Sequence, residues 1–476
     1  MGSDLVFIDY PLEWQATTLG ELVDASGGSV QTGPFGSQLH ASDYVEAGIP
    51  SVMPKNIAID GIIEDDIARI THEDASRLSK YLLASGDIIY SRRGDVEKCA
   101  LVKPEEIGWL CGTGCLRVRL GGNAKITPEF LHAYLSTPAT REWVSRNAIG
   151  ATMPNLNTSI LRDVPVLVPE SREINYITSS WNALNNKIQL NRQINKTLES
   201  MAQALFKSWF VDFDPVIDNA LAAGSEIPEP LKARAEQRAA LRQSATRDKN
   251  REPQLPEAIR QLFPSRFVFH AEMGWIPEGW EVVPFGNVSN CFDKHRVPLS
   301  KLQREAKQPG NIPYIGATSV NDYINEWIFD HIYLLIGEDG SVIKEDRSPF
   351  VQYIWGKTWV NNHAHVLQGS KGISTEHLML FMQAQNVTAY VTGAVQMKIN
   401  QKNMNSIPFL KAEDELNKYF GELVAPYYEK FRATSEANQS LNKLRDTLLP
   451  KLISGELRIP EAAQAVQEFE TEAEAI

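Results

Sequence analysis

The chain repeats part of itself at a constant offset of 243 residues. Gly150-Ala151-Thr152-Met153-Pro154-Asn155-Leu156-Asn157 lies over Gly393-Ala394-Val395-Gln396-Met397-Lys398-Ile399-Asn400. Val164-Pro165-Val166-Leu167 then lies over Ile407-Pro408-Phe409-Leu410. The same register continues without a gap, setting Asn195 on Asn438, Leu205 on Leu448 and Trp209 on Leu452. A duplication of this size implies two similar modules in a pseudo-symmetric arrangement, suited to two separated features of one extended target.

With 476 residues, 43% hydrophobic and 22% charged, the chain can bury two ordinary cores. No apolar run approaches a membrane span, and Met1-Gly2-Ser3-Asp4 lacks the features of a signal peptide, so a cytoplasmic protein with no membrane partner is expected. Four cysteines are too few for a disulfide framework. The formal charge of −12 argues against autonomous DNA binding, which usually shows a basic footprint. A DNA binder of this composition needs a partner to neutralise phosphates.

The expected organisation is a mixed α/β module over residues 1–170, a helix over 171–213, a linker over 214–270, a second module over 271–411, a second helix over 412–458 and an acidic tail over 459–476. Trp14 precedes Leu19-Gly20 as Trp280 precedes Phe285-Gly286, marking equivalent module starts. Short helices are expected near Pro128–Leu135 and Thr375–Gln383, and one in the linker around residues 231–243. After each module comes a seven-residue apolar rhythm. One copy runs Ile177, Leu184, Asn191, Leu198, Leu205 with Trp181, Ile188, Asn195, Ala202, Trp209. The other runs Phe420, Tyr427, Thr434, Leu441, Leu448 with Val424, Phe431, Asn438, Arg445, Leu452. This is coiled-coil spacing, in which seam asparagines such as Asn195 and Asn438 fix register at some cost in stability. Pro426 predicts a kink or a fresh helix start. The linker reads as a surface connection without chemistry.

Enzyme signatures are missing: there is no Gly-rich phosphate loop, no adenine-methyltransferase tetrapeptide and no nucleophile elbow. Asp293 with Glu305-Ala306-Lys307 has the residue types of a Mg²⁺ nuclease site but not the buried-strand setting. Cys99, Cys111 and Cys115 have no fourth zinc ligand nearby, and His363 with His365 reads better as a polar loop than as a metal pair.

The segment Leu198-Glu199-Ser200-Met201-Ala202-Gln203-Ala204-Leu205-Phe206-Lys207-Ser208-Trp209-Phe210-Val211-Asp212-Phe213 resembles the central helical segment of Type I restriction-modification specificity subunits. Leu441 to Leu457 is similar to their distal one, and Thr32 to Ser37 and Asn361 to His365 resemble segments of their target recognition domains. The resemblance covers nearly the whole chain. It implies an α+β fold: two mixed α/β target recognition domains joined by two long antiparallel coiled-coil helices with pseudo-two-fold symmetry. It also implies sequence-specific recognition of a bipartite double-stranded DNA target, one domain per half-site. Two DNA adenine methyltransferase subunits and restriction/translocase subunits would be the partners. S-adenosylmethionine, ATP and Mg would serve those partners, with no cofactor, metal or catalytic residue in this chain.

Loops on a rigid frame carry readout groups, with Arg or Lys suited to guanine and Asn to adenine. The DNA-binding candidates are Ser37, Lys55, Asn56, Arg92 and Arg93 in the first module. In the second they are Lys294, Arg296, Thr318, Ser319, Ser341, Asn362 and His363. For each, a phosphate contact or plain solvation is the competing explanation. Phe206, Phe210 and Leu449 are expected as exposed methyltransferase contacts, with seam packing as the alternative. A nuclease or methyltransferase with a divergent site, or a two-headed scaffold that does not bind DNA, are the alternatives for the whole chain.

Overall fold

The computed structural model describes residues 10–58, 61–150, 152–247, 255–340, 342–393 and 396–459. Ser341 and the tail from residue 460 onward lie outside these. The chain divides into two compact units, one made of Met1–Arg192 with Glu436–Ile476 and the other of Gln193–Ser435. Among the described residues no helix is long and apolar enough to cross a membrane.

Each unit carries one module, closed by the strand that opens it. In the first, Gln15–Thr18 pairs antiparallel with Pro165–Val168. In the second, Glu281–Pro284 pairs antiparallel with Pro408–Lys411. The next residue repeats one bond in both: the Leu19 amide donates to Val164 O and the Phe285 amide to Ile407 O, each at 2.8 Å. Leu19 and Phe285 are both fully buried.

The central sheet has one topology in both modules. Its strand order is Ser29–Thr32, Cys115–Arg119, Ile88–Ser91, Cys99–Leu101 in the first. In the second it is Ser289–Cys291, Ala364–Gly369, Tyr333–Gly337, Val351–Ile354, and all neighbours in both sheets are antiparallel. The third strand of each order, Ile88–Ser91 or Tyr333–Gly337, is buried along its whole length, which its unbroken apolar core allows. A second sheet pairs Ile49–Val52 parallel with Leu110–Cys111 and antiparallel with Ala68–Ile70. Its counterpart pairs Ile312–Ile315 parallel with Lys357–Val360 and antiparallel with Val320–Ile324. The outer edges differ: Tyr44–Val45 extends the first sheet beside Ala68–Ile70, whereas Phe329–Asp330 extends the second beside Lys357–Val360. Helices Pro128–Leu135 and Thr375–Gln383, capped by Thr127 and Ser374, bury Phe130 and Leu131 in one core and Leu378 and Phe381 in the other.

The repeated octapeptide is a structural device. Gly150 and Gly393 have φ of 109° and 88°, a region only glycine enters freely. A Cβ there would meet the carbonyl of Met153 at 2.9 Å or of Gln396 at 2.2 Å. Each glycine turns a small hairpin in which Ile149 bridges Asn155 and Thr392 bridges Lys398. Asn157 and Asn400 then cap the helices Thr158–Arg162 and Gln401–Asn405, their Oδ1 atoms accepting from Ile160 N and Asn403 N at 2.8 Å.

The two long helices are Ser171–Phe206 and Asp414–Ser454. In the first unit, Asn191 Nδ2 donates to Asn438 Oδ1 at 2.9 Å, Asn438 Nδ2 to Ile188 O at 3.3 Å, and Arg445 Nη1 to Asn185 Oδ1 at 3.2 Å. Rising numbers meet falling ones, so these segments run antiparallel. In the second unit, Asn195 donates to Ser435 Oγ at 2.9 Å and accepts from the Thr434 hydroxyl, while Phe206 stacks edge-on against Phe420. Asn195 and Asn438 therefore each meet a polar seam partner, but not each other. Ile177, Trp181, Ile188, Ala202, Phe420 and Val424 are buried as the seven-residue rhythm requires.

Two expectations need correction, and of the two outcomes expected at Pro426 one is excluded. Pro426 starts no new helix, since Asp414–Ser454 is continuous. The missing amide removes one main-chain bond, and burial of Val424 and Tyr428 on either side offsets it. The first long helix is not α-helical to residue 213: Lys207–Val211 is a π-helical turn, which lets the neighbours Trp209 and Phe210 both enter the core. The region after it is not merely a surface connection. Helices Asp214–Ala223 and Lys232–Arg247 are held by a two-pronged Arg234–Asp214 pair at 2.7 Å and by Arg238–Asp218, and Val216, Ile217 and Phe263 are buried.

Replacing Asn438 by Ala strands the Asn191 amide in a dry seam. It should lower stability by about 1–3 kcal/mol, read as a lower urea midpoint. Replacing Asn191 and Asn438 together by Leu should recover most of that loss, because no buried polar group is then left unpaired.

Candidate nucleic-acid interface

In each module the loops at one end of the sheets are tied together by main-chain bonds, and all but the first bond of each set are equivalent. In the first module, Gly33 N donates to Cys115 O, Gly112 N to Val52 O, Arg92 N to Gly114 O, Leu156 N to Arg92 O and Gly94 N to Pro154 O. In the second, Phe292 N donates to Val366 O, Asn361 N to Ile315 O, Glu338 N to His363 O, Ile399 N to Glu338 O and Gly340 N to Met397 O. All ten lie between 2.8 and 3.2 Å. Arg92, Arg93 and Gly94 thus correspond to Glu338, Asp339 and Gly340. Both glycines are left-handed, at φ 76° and 83°.

The loop cluster gathers nearly all the DNA-binding candidates into one place per module. In the first, Ser37, Lys55 and Arg93 are exposed and Arg92 is half-buried. Arg92 and Arg93 line a cleft of about 350 Å³ with Phe35, Met53, Pro54 and Thr113. Lys55 is paired with Asp66. In the second, Lys294, Thr318, Ser319 and Asn362 are exposed, and His363 Nδ1 lies 2.5 Å from Asp339 Oδ1.

Two candidates are structural instead. Asn56 is buried, its Oδ1 accepting from Met53 N and its Nδ2 donating to Ile63 O, both at 3.1 Å, so it presents nothing to a ligand. Arg296 has a 12% exposed side chain. It contacts Glu338 Oε2 and Ala364 O at 2.7 Å and Asp293 at 3.2 Å. Its donors hold loops together. Phe206, Phe210 and Leu449 are also corrected: all three are buried, the first two against His377 and Phe420 and the third in the core of the first unit. The seam, extended by the π-turn, has absorbed them. Among the described residues, the large apolar side chains that the first long helix exposes are Leu190 and Met201.

Around Arg296 lies a buried charged network that residue spacing did not reveal. His365 Nδ1 is 2.5 Å from Asp293 Oδ2 and its Nε2 is 2.8 Å from Ile399 O. A carbonyl only accepts, so Nε2 carries a proton, and the imidazole bridges two loops. Lys398 reaches Glu338 at 3.0 Å. Burial alone raises the Asp293 carboxyl, but the His365 hydrogen bond and the Arg296 charge hold it below its ordinary range. Glu338 is likewise held low against its own burial by Arg296 and Lys398. The ligand atoms of Cys291, Asp293 and His365 lie within 4.8 Å of one another. Both ring nitrogens of His365 are engaged by Asp293 and Ile399, so the imidazole acts as a hydrogen-bonded strut.

The other chemical readings do not assemble. Glu305 pairs with Lys301 and Lys307 with Glu326, so neither joins Asp293. Cys99, Cys111 and Cys115 are buried free thiols, and burial pushes Cys111 up to about 12 and Cys99 to about 11. Such groups remain protonated and are poor ligands.

A carboxyl depressed in the folded state gives its full stabilisation above its unfolded pKa, near 4, and loses it as pH falls through the folded value. Asp293→Asn should therefore cost about 3 kcal/mol at neutral pH. The gap to the parent protein should close below about pH 4, measured by urea denaturation across pH.

A family described as the Type I restriction modification DNA specificity domain matches residues 11–200 and 277–410, more than half of the chain. The chain is 23% identical over 483 residues to the Type I restriction enzyme MjaIX specificity subunit of Methanocaldococcus jannaschii, covering 95% of each. It is 24% identical over 430 residues to the HindI specificity subunit of Haemophilus influenzae, covering 81% of this chain and 89% of that one. The crystal structure of a Type I S subunit from M. genitalium shares the fold with a TM-score of 0.51 at 14% identity, over 94% of this chain and 97% of that one. Two matched regions, each falling on one of two modules built to the same plan, make this chain a member of the Type I restriction-modification DNA specificity subunits.

Proposed function

We propose that this subunit reads a bipartite double-stranded DNA target, one loop cluster per half-site, and that it catalyses nothing itself. The observation that carries the reading is the pair of loop clusters, held by equivalent main-chain bonds and furnished with different side chains. Similar frames give similar docking, and different loops give different sequence preferences. The long helices, each with residues in both units, are the elements to which the gap between half-sites is assigned.

The partners in this reading are two DNA adenine methyltransferase subunits and the restriction/translocase subunits. S-adenosylmethionine, ATP and Mg are used there, and the flipped adenine enters the methyltransferase. The net charge of −12 fits a subunit that depends on those partners for phosphate neutralisation. Leu190 and Met201, exposed and apolar on the first long helix, are the proposed methyltransferase contacts in place of the buried Phe206 and Phe210.

Gel shifts over a salt series test this. The chain alone should bind DNA weakly, and adding the methyltransferase subunits should tighten binding by at least roughly tenfold and steepen the salt dependence. Methyl transfer from labelled S-adenosylmethionine, or Mg²⁺-dependent cleavage, by the purified chain alone would contradict the non-catalytic role. Absence of DNA binding with and without partners would favour a protein scaffold.

A further inference from the structure

The first module contains nine arginines between residues 10 and 170. Seven are committed to a carboxylate or a main-chain carbonyl, as Arg119 is to the fully buried Asp87 through two bonds of 2.6 Å. Among the described residues, Arg92 and Arg93 have no such partner, and Arg92 Nε is buried without a hydrogen bond. The two line the cleft of about 350 Å³ together with Phe35, which is 54% exposed, Met53 and Pro54. At the same two positions the second module has Glu338 and Asp339, which are engaged by Arg296, Lys398 and His363. One frame therefore carries two free donors in one copy and two occupied acceptors in the other.

Resting on the DNA reading above, we infer that Arg92 and Arg93 specify a guanine in the half-site faced by the first module. The same loop in the second module does not specify guanine. Guanine is the only base that offers two acceptors, N7 and O6, on its major-groove edge, and a guanidinium fork matches them with two parallel bonds. Adenine places a donor where O6 would be, so the same fork rejects it. Phe35 and Met53 beside the fork supply the apolar surface that suits the 5-methyl group of a neighbouring thymine. A phosphate would also satisfy the arginines, but an apolar wall gives it nothing in exchange for its hydration. In the second module, carboxylates at this place repel the guanine acceptors and leave readout to Thr318, Ser319 and Asn362.

The test uses the full complex with its methyltransferase subunits and maps methylated adenines over a randomised DNA library. The parent complex should require guanine at one position of one half-site. Arg93→Ala should relax that position, cutting discrimination roughly 10- to 100-fold, and leave the other half-site unchanged. Arg93→Lys keeps the charge but not the fork and should relax it too. Replacing that guanine by 7-deazaguanine should weaken the parent complex and leave the Arg93→Ala complex indifferent. Arg146→Ala, which removes an exposed pair with Glu142 on a helix outside the loop cluster, should not change the motif. An unchanged motif with uniformly weaker, less salt-dependent methylation would make Arg93 a phosphate contact and overturn the inference, as would relaxation at a base other than guanine. A parent complex that neither binds nor methylates DNA would remove the underlying reading, and the inference with it.

Discussion

The main-chain bonds that tie the bases of the loops together are the constraint on which the rest depends. Arg92 and Glu338 have nothing in common as side chains, yet each amide donates to the carbonyl that precedes the next sheet strand and each carbonyl accepts from the strand-like segment after the small hairpin. Because backbone groups are the same in every residue, such bonds hold position without constraining identity. Side chains at the loop tips are then free to diverge while the frame is maintained. A specificity subunit has this need: geometry must be kept while the sequence that is read changes.

Charge follows the same logic. The chain is acidic overall, and most arginines of the first module are spent inside it, Arg117 and Arg119 around the buried Asp87 among them. The second module spends Arg296 and His365 in a network with Asp293 and Glu338. Buried pairs of this kind stabilise little compared with an apolar core, but they fix geometry, since removing one partner leaves an uncompensated charge. Positive charge is thus used to stiffen loops, and little remains for attracting phosphate. The two free arginines of the first module stand out because of this economy.

The long helices use polar groups similarly. Asn191 with Asn438, and Asn195 with Thr434 and Ser435, satisfy one another inside otherwise apolar seams. A register shift would separate these partners and bury amides without bonds, which is how a polar seam residue favours one alignment.

The sequence by itself determined the duplication and the helical seams, because each is written in local periodicity or in a residue with a single job. Gly150 and Gly393 had to be glycine at positive φ, and Asn157 and Asn400 had to cap, so they persisted in both copies and made the repeat visible. The correspondence of Arg92 with Glu338 was hidden, because it runs at an offset of 246 rather than 243 and rests on backbone bonds that leave no residue signature. Only the tertiary structure decided that Asn56 and Arg296 are struts, that Phe206 and Phe210 are core, and that Arg92 and Arg93 are free. Those facts depend on partners far away in the chain: Ile63 for Asn56, Glu338 for Arg296, and Phe420 with the π-turn for the two phenylalanines. Whether a polar side chain is available to a ligand is set by what already satisfies it, and that partner is chosen by the folded chain rather than by its neighbours in sequence.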